Sequence, residues 1–190
     1  MKRKIIQQLK LWKDNPARKP LILLGARQVG KTWVMKHFGL TEFKNVAYIN
    51  CDVEPLAKEL FAADYNIPRI LLTLQAITGT KIEAGKTLIV FDELQEVERG
   101  LHSLKYFQEN APEYHVMAAG SLLGITLGKG QSFPVGKVNV MYLYPMDFEE
   151  FLMAAGETDL CDLLHQPDWE ILKILSLKYV DLLRQYYYVG

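Results

Sequence analysis

The chain has 190 residues, 49% of them hydrophobic, with 22 Lys plus Arg against 22 Asp plus Glu, the size and apolar content of one packed domain or of a domain with an attached piece. That charge balance excludes a global field drawing the protein to nucleic acid or to an acidic membrane surface, leaving only local patches. Cys51 and Cys161 are the only cysteines, far apart and in no CxxC pairing, so neither a disulfide framework nor a zinc site is indicated and a reducing cytoplasm is the expected location.

The basic start MKRKIIQQLKLWKDN is interrupted before a signal-like apolar stretch forms, and no later run approaches the ~18 apolar residues a membrane span needs. Ile5, Ile6, Leu9 and Trp12 carry a helical period over 5–14 that stops at Asn15-Pro16. Leu21 to Leu24, between Pro20 and Gly25, is a short continuous apolar run that predicts a strand buried on both faces. Val46 to Ile49, Thr87 to Phe91, Val116 to Ala119 and Val138 to Leu143 read the same way, with helices predicted between them at 31–38, 55–62, 67–78 and 99–109. Strands alternating with helices predict an α/β fold with a mostly parallel five-stranded sheet covered on both faces. Glycines at 124, 128, 130 and 136 predict a mobile loop. After Pro145 the pattern turns helical, through Phe148, Phe151 and Leu152, and then as one helix from Trp169 to Tyr188 too apolar to stand alone in water. The expected organisation is a core over 1–144, leading helix included, and a helical segment over 145–190 that begins a lid or a further domain.

The string GARQVGKT from Gly25 to Thr32 fits GxxxxGK[ST], directly after an apolar strand and before a helix. Gly25, Ala26, Arg27, Gln28, Val29, Gly30, Lys31, Thr32 and the following Trp33 are the candidate ATP-binding residues. The glycines let the backbone wrap phosphate oxygens, and loop amides with the positive end of the helix favour the anion. Lys31 would reach the β- and γ-phosphates, and the Thr32 hydroxyl would sit on Mg2+. A glycine turn with a solvated lysine is the bland alternative. Arg27 either touches phosphate or a carboxylate, or faces solvent.

Further on, TLIVFDEL ends an apolar strand in two carboxylates, which places them at the carboxyl edge of the sheet where open α/β sheets bind ligands. This is the Walker B position. Asp92 would hold the magnesium, and Glu93 would orient or deprotonate the attacking water; in isolation such a pair is a solvated turn. YHVMAAGS brings Ser121 to a strand tip, as a sensor of the γ-phosphate or as an ordinary turn residue. Lys137, in Pro134-Val135-Gly136-Lys137, either stabilises charge on the transferring phosphoryl group or is a surface lysine. The histidines, His37, His102, His115 and His165, lack metal-ligand spacing and read as packing or surface residues. No NKxD-like string supports a GTPase, no HRD or DFG string supports a protein kinase, and no basic stripe or RNP-like motif supports nucleic-acid contact.

Taken together, KPLILLGARQVGKT, VFDELQEVERGLHSLKYFQEN, AAGSLLG and FPVGKVNVMYLYPMDFEEFL resemble the AAA-type ATP-binding proteins of bacteria and archaea whose C-terminal half is a domain of unknown function. The resemblance runs over nearly the whole chain, in order. It implies an AAA-like three-layer P-loop NTPase with an additional strand between the P-loop and Walker B strands, and the roles given above for Lys31, Thr32, Asp92, Glu93 and Ser121. Where the family's usual pattern has Arg after Pro-x-Gly, this chain has Lys137, which lacks the planar fork of an arginine finger. Members are about twice as long, so the resemblance implies a truncated ATPase half, lacking a restriction-endonuclease-like domain that would meet part of the client. The expected function is Mg-dependent ATP hydrolysis coupled to an unknown protein or DNA client, in a chain that forms a homo-oligomer or docks elsewhere through its last helix. The alternative is a nucleotide-dependent switch with negligible hydrolysis; a small-metabolite kinase is a third reading.

Overall fold

The computed structural model describes residues 3–62, 64–121, 134 and 136–189. Two compact units divide the chain: Gln7–Tyr144 forms one, and the residues up to Ile6 join those from Pro145 onward in the other.

Helix α1 (Ile5–Asp14), in the larger unit from Gln7 onward, ends where Pro16 forbids its continuation. Strand β1 (Leu21–Gly25) is buried at every position, as its unbroken apolar run requires. Helix α2 (Lys31–Glu42) follows, then β2 (Asn45–Asn50), a 3-10 turn at Pro55–Leu60, α3 (Ile67–Thr78), β3 (Thr87–Asp92), α4 (Gly100–Asn110), β4 (His115–Ser121) and β5 (Asn139–Tyr142). The five strands lie in the order β2-β3-β4-β1-β5, and every pairing is parallel. The carboxyl ends of β1 and β3 therefore share one edge, with β4 inserted between them.

Alternation along the strands splits the core into two layers. Ile22, Leu24, Ile89, Phe91, Val116 and Ala118 join one apolar cluster with Ile70 and Leu74 of α3 and Leu104 and Phe107 of α4. On the opposite face, α2 buries Val34, Met35 and Phe38, and the Trp12 ring of α1 lies 6.5 Å from that of Phe38. Each such side chain contributes about 1.5–3 kcal/mol of burial. Helices on both faces make three layers, as expected from the sequence. Two strands differ from expectation: β2 and β5 sit at the sheet edges and alternate in exposure instead of being buried on both faces. The predicted 55–62 helix is the 3-10 turn.

The smaller unit contains α5 (Phe148–Ala154), α6 (Thr158–His165), α7 (Trp169–Ile174) and α8 (Ser176–Val189). Asp147 and Glu150 close a capping box at the start of α5, and the buried Arg3 guanidinium pairs with Glu150 at 3.2 Å. Lys4 N–H donates to Glu150 at 2.7 Å, so the first residues belong here and not, as expected, with the sheet. Phe151, Leu152, Leu160, Cys161 and Leu182 form its core. The single helix expected from Trp169 to Tyr188 is broken at Leu175 into α7 and α8, and Trp169 (77%) and Leu177 (80%) stay exposed. Among the described residues no helix is long and apolar enough to cross a membrane.

Candidate functional site

Strand β1 delivers its last residue into a tight corner: a Cβ on Gly25 would collide with the Leu143 carbonyl oxygen, while Leu143 N–H donates to Leu24 at 2.7 Å. The loop then turns through two left-handed residues, Gln28 (φ 66°) and Gly30 (φ 93°). Glycine adopts this conformation freely, and Gln28 does so at a cost of about 1–3 kcal/mol. Gly30 caps α2 with no side chain bonded to the first-turn amides, which leaves those N–H groups for an anion.

Lys31 opens the helix at 6% exposure. Its ammonium folds back on the loop, donating to the carbonyls of Gly25 at 3.0 Å and Ala26 at 2.8 Å. The next side chain crosses to β3: Thr32 Oγ1 donates to Asp92 Oδ2 at 2.6 Å. Tyr48 of β2 donates its hydroxyl to the same oxygen at 2.9 Å. Asp92 is 2% exposed, and its other oxygen, Oδ1, is buried with no hydrogen-bond partner. An unsatisfied buried acceptor is costly, and one at the lip of a phosphate loop fits a hydrated divalent cation. Thr32 and Asp92 are the residues that could hold Mg2+, which takes most of its oxygens from phosphate and water. Among the described residues no cluster of three or more His, Cys, Asp and Glu offers a self-sufficient metal site.

Burial, and then the bond to Asp92, raise the Tyr48 phenol above its ordinary range, so it remains a donor at neutral pH. Burial, with the Asp92 and Glu93 charges, likewise pushes the Cys51 thiol up to about 12, and an inert thiol results. Glu93 follows in a left-handed conformation (φ 52°). Its Oε2 accepts from the Gln95 amide at 2.6 Å, and the same amide donates to Glu96 at 3.2 Å. An open cleft of about 1050 Å3 is bounded by Arg27, Gln28, Lys31, Thr32, Asp52 and Glu93. It continues along α2 past Trp33 and His37, whose rings stack with centroids 4.6 Å apart.

The structure thus brings together the candidates Gly25 to Trp33, Asp92 and Glu93. Arg27 is exposed on the rim. Ser121 ends β4 opposite Gly25 in the parallel ladder, so its backbone adjoins the loop, while its side chain lies outside the described residues. The predicted glycine loop from 124 falls outside them as well, except at Pro134 and Gly136.

Lys137 requires correction. It precedes β5, whose first residue Asn139 pairs with Leu21, at the amino edge of the sheet. The length of β1, about 13 Å at ~3.3 Å per residue, separates that edge from the phosphate loop. Its ammonium instead pairs with Glu109 at 2.8 Å.

Tyr48 and the contact of Gln95 with Glu93 were not anticipated from the sequence. A phenol inside the apolar run NVAYIN was the available signal for Tyr48, but only the strand order shows that β2 lies beside Asp92.

Comparison with protein families matches residues 17–152 to the AAA domain. A comparison with curated protein sequences found no match. Among solved structures, the chain is similar to the Drosophila ORC bound to DNA, with a TM-score of 0.52 at 15% identity, over 88% of this chain and 47% of that one. At that identity the likeness is one of fold, and this chain spans about half the length of its neighbour.

Proposed function

This chain belongs to the AAA domain family, and from that premise we propose that it binds ATP with Mg2+ between the P-loop and Asp92 and hydrolyses the terminal phosphate. The family makes it an ATPase-type nucleotide-binding domain; metal dependence, hydrolysis and client are our reading. One observation carries it: the 2.6 Å bond between Thr32 and Asp92 joins the two motifs beside a buried carboxylate oxygen that has no partner.

When nucleotide enters, the first-turn amides of α2 and the loop amides take the phosphate oxygens, and Lys31 exchanges two carbonyls for phosphate. That exchange swaps weak acceptors for charged ones, which strengthens each hydrogen bond. Thr32 and Asp92 would hold magnesium, which would supply positive charge against the phosphate oxygens. Glu93, released from Gln95, orients the attacking water and accepts its proton. Electrostatic stabilisation of this kind is commonly worth about 3–4 kcal/mol per donor. The client is a protein or DNA, and the setting is a reducing cytoplasm.

Phosphate release tests the proposal. Lys31→Ala should abolish both nucleotide binding and release, whereas Glu93→Gln should bind and lose turnover. Normal turnover in Glu93→Gln would remove Glu93 from its assigned role. A second reading, a nucleotide-dependent switch with negligible basal hydrolysis, rests on the 2.6 Å bond that ties up Glu93. Single-turnover hydrolysis separates the two, since fast turnover by the isolated chain eliminates the switch.

A further inference from the structure

Two donors converge on a single oxygen of Asp92. Thr32 comes from the phosphate loop and Tyr48 from the neighbouring strand, both onto Oδ2, while Oδ1 is left buried without a partner. These donors differ in what they do once a metal arrives. The Thr32 hydroxyl sits where a P-loop threonine offers its lone pair to the cation while its proton stays on the carboxylate, so it serves metal and carboxylate together. Tyr48 has no such second task. Its ring is fixed from two sides: β2 pairs Tyr48 with Val90, two residues before Asp92 and on the same sheet face, and the Lys36 ammonium lies 3.9 Å from the ring centroid.

We propose that Tyr48 is a positioning residue for the metal: its hydroxyl is the second donor on Oδ2 of Asp92 and so holds the carboxylate in the orientation that leaves Oδ1 for the cation or its water. The proposal rests on the reading of Thr32 and Asp92 as the magnesium site. Partners that orient a metal-binding carboxylate characteristically tune affinity for the metal without touching it. Neither Tyr48 nor Asp92 lines the cleft that receives the nucleotide, so Tyr48 should act on the metal through Asp92 and not on the nucleotide directly.

The experiment uses the 190-residue chain and Tyr48→Phe, which deletes one oxygen and keeps the ring. Mn2+ binding to the ADP complex is followed by electron paramagnetic resonance, and ADP binding in EDTA by calorimetry. Tyr48→Phe should bind Mn2+ about 10-fold more weakly, while its affinity for ADP in EDTA and its melting temperature stay at wild-type values. Unchanged Mn2+ affinity overturns the proposal. So does an equal loss of ADP affinity in EDTA, or a failure to fold, because either gives the phenol a general structural role. Wild-type protein that binds ADP but no Mn2+ sinks the metal-site reading itself, a result distinct from an unaltered Tyr48→Phe.

Discussion

Asp92→Asn separates a carboxylate held ready for a ligand from one that merely holds the fold together. This carboxylate receives two hydrogen bonds on one oxygen and none on the other. Replacing it by the amide weakens two charge-assisted bonds to neutral ones, a loss of about 1 kcal/mol each, and exchanges a buried unpartnered oxygen for an equally unpartnered NH2, which leaves that cost nearly unchanged. The net loss is about 2 kcal/mol. At about 2–4 °C per kcal/mol for a chain of this size, the nucleotide-free melting temperature should fall by about 4–8 °C. Ligand should behave differently. Mg-ADP at 100 times its dissociation constant stabilises wild type by about 2.7 kcal/mol, an upward shift of about 5–10 °C, and Asp92→Asn should lose the magnesium-dependent part of it. Differential scanning fluorimetry with and without Mg-ADP reads both numbers. A fall of more than about 12 °C without nucleotide would refute the reasoning, since Asp92 would then be a structural centre and its bare oxygen would have no meaning for a metal.

Removing the amide that holds Glu93, in Gln95→Ala, should raise basal phosphate release by about 5-fold, the worth of one hydrogen bond of ~1 kcal/mol; an unchanged rate in a colorimetric phosphate assay means that the bond does not restrain Glu93. Lys137→Ala should leave turnover unaltered because its partner is Glu109 at the far edge of the sheet, and a clear loss of turnover would return Lys137 to the site. His115 sets a pH dependence. Burial, followed by the Arg18 charge, lowers its pKa from 6.5 to about 4, so the unfolded chain binds a proton that the fold rejects. Its contribution to stability is therefore complete above pH 6.5 and lost as the pH falls toward 4. The ring packs edge-on against Trp12 and Phe43, so His115→Phe should keep the packing and flatten urea midpoints between pH 4 and 6.5; an equally steep slope would assign the titration elsewhere.

The P-loop was readable because its chemistry is local: eight consecutive residues between an apolar strand and a helix constrain backbone and ligand together. Asp92 and Glu93 were readable for a related reason, that a strand buried on both faces must end at the sheet edge. Apolar periodicity gave the strands but not their neighbours, so Val46 to Ile49 and Val138 to Leu143 read as interior strands although both lie at edges. The same gap hid Tyr48, whose role exists only because β2 is adjacent to β3. Lys137 was misplaced because Pro-Val-Gly-Lys leads into a strand, and the amino end of a parallel strand lies opposite the phosphate edge. Composition also missed the break at Leu175, where two short helices replace one apolar helix.

Calorimetric titration of Mg-ATP into Glu93→Gln, where turnover is blocked, bears most directly on whether loop and strand tip form one nucleotide site. Saturable heat at one nucleotide per chain, absent in Lys31→Ala and weakened by EDTA, is the expected result. A folded protein giving no heat, or equal heat with Lys31 removed, would contradict it.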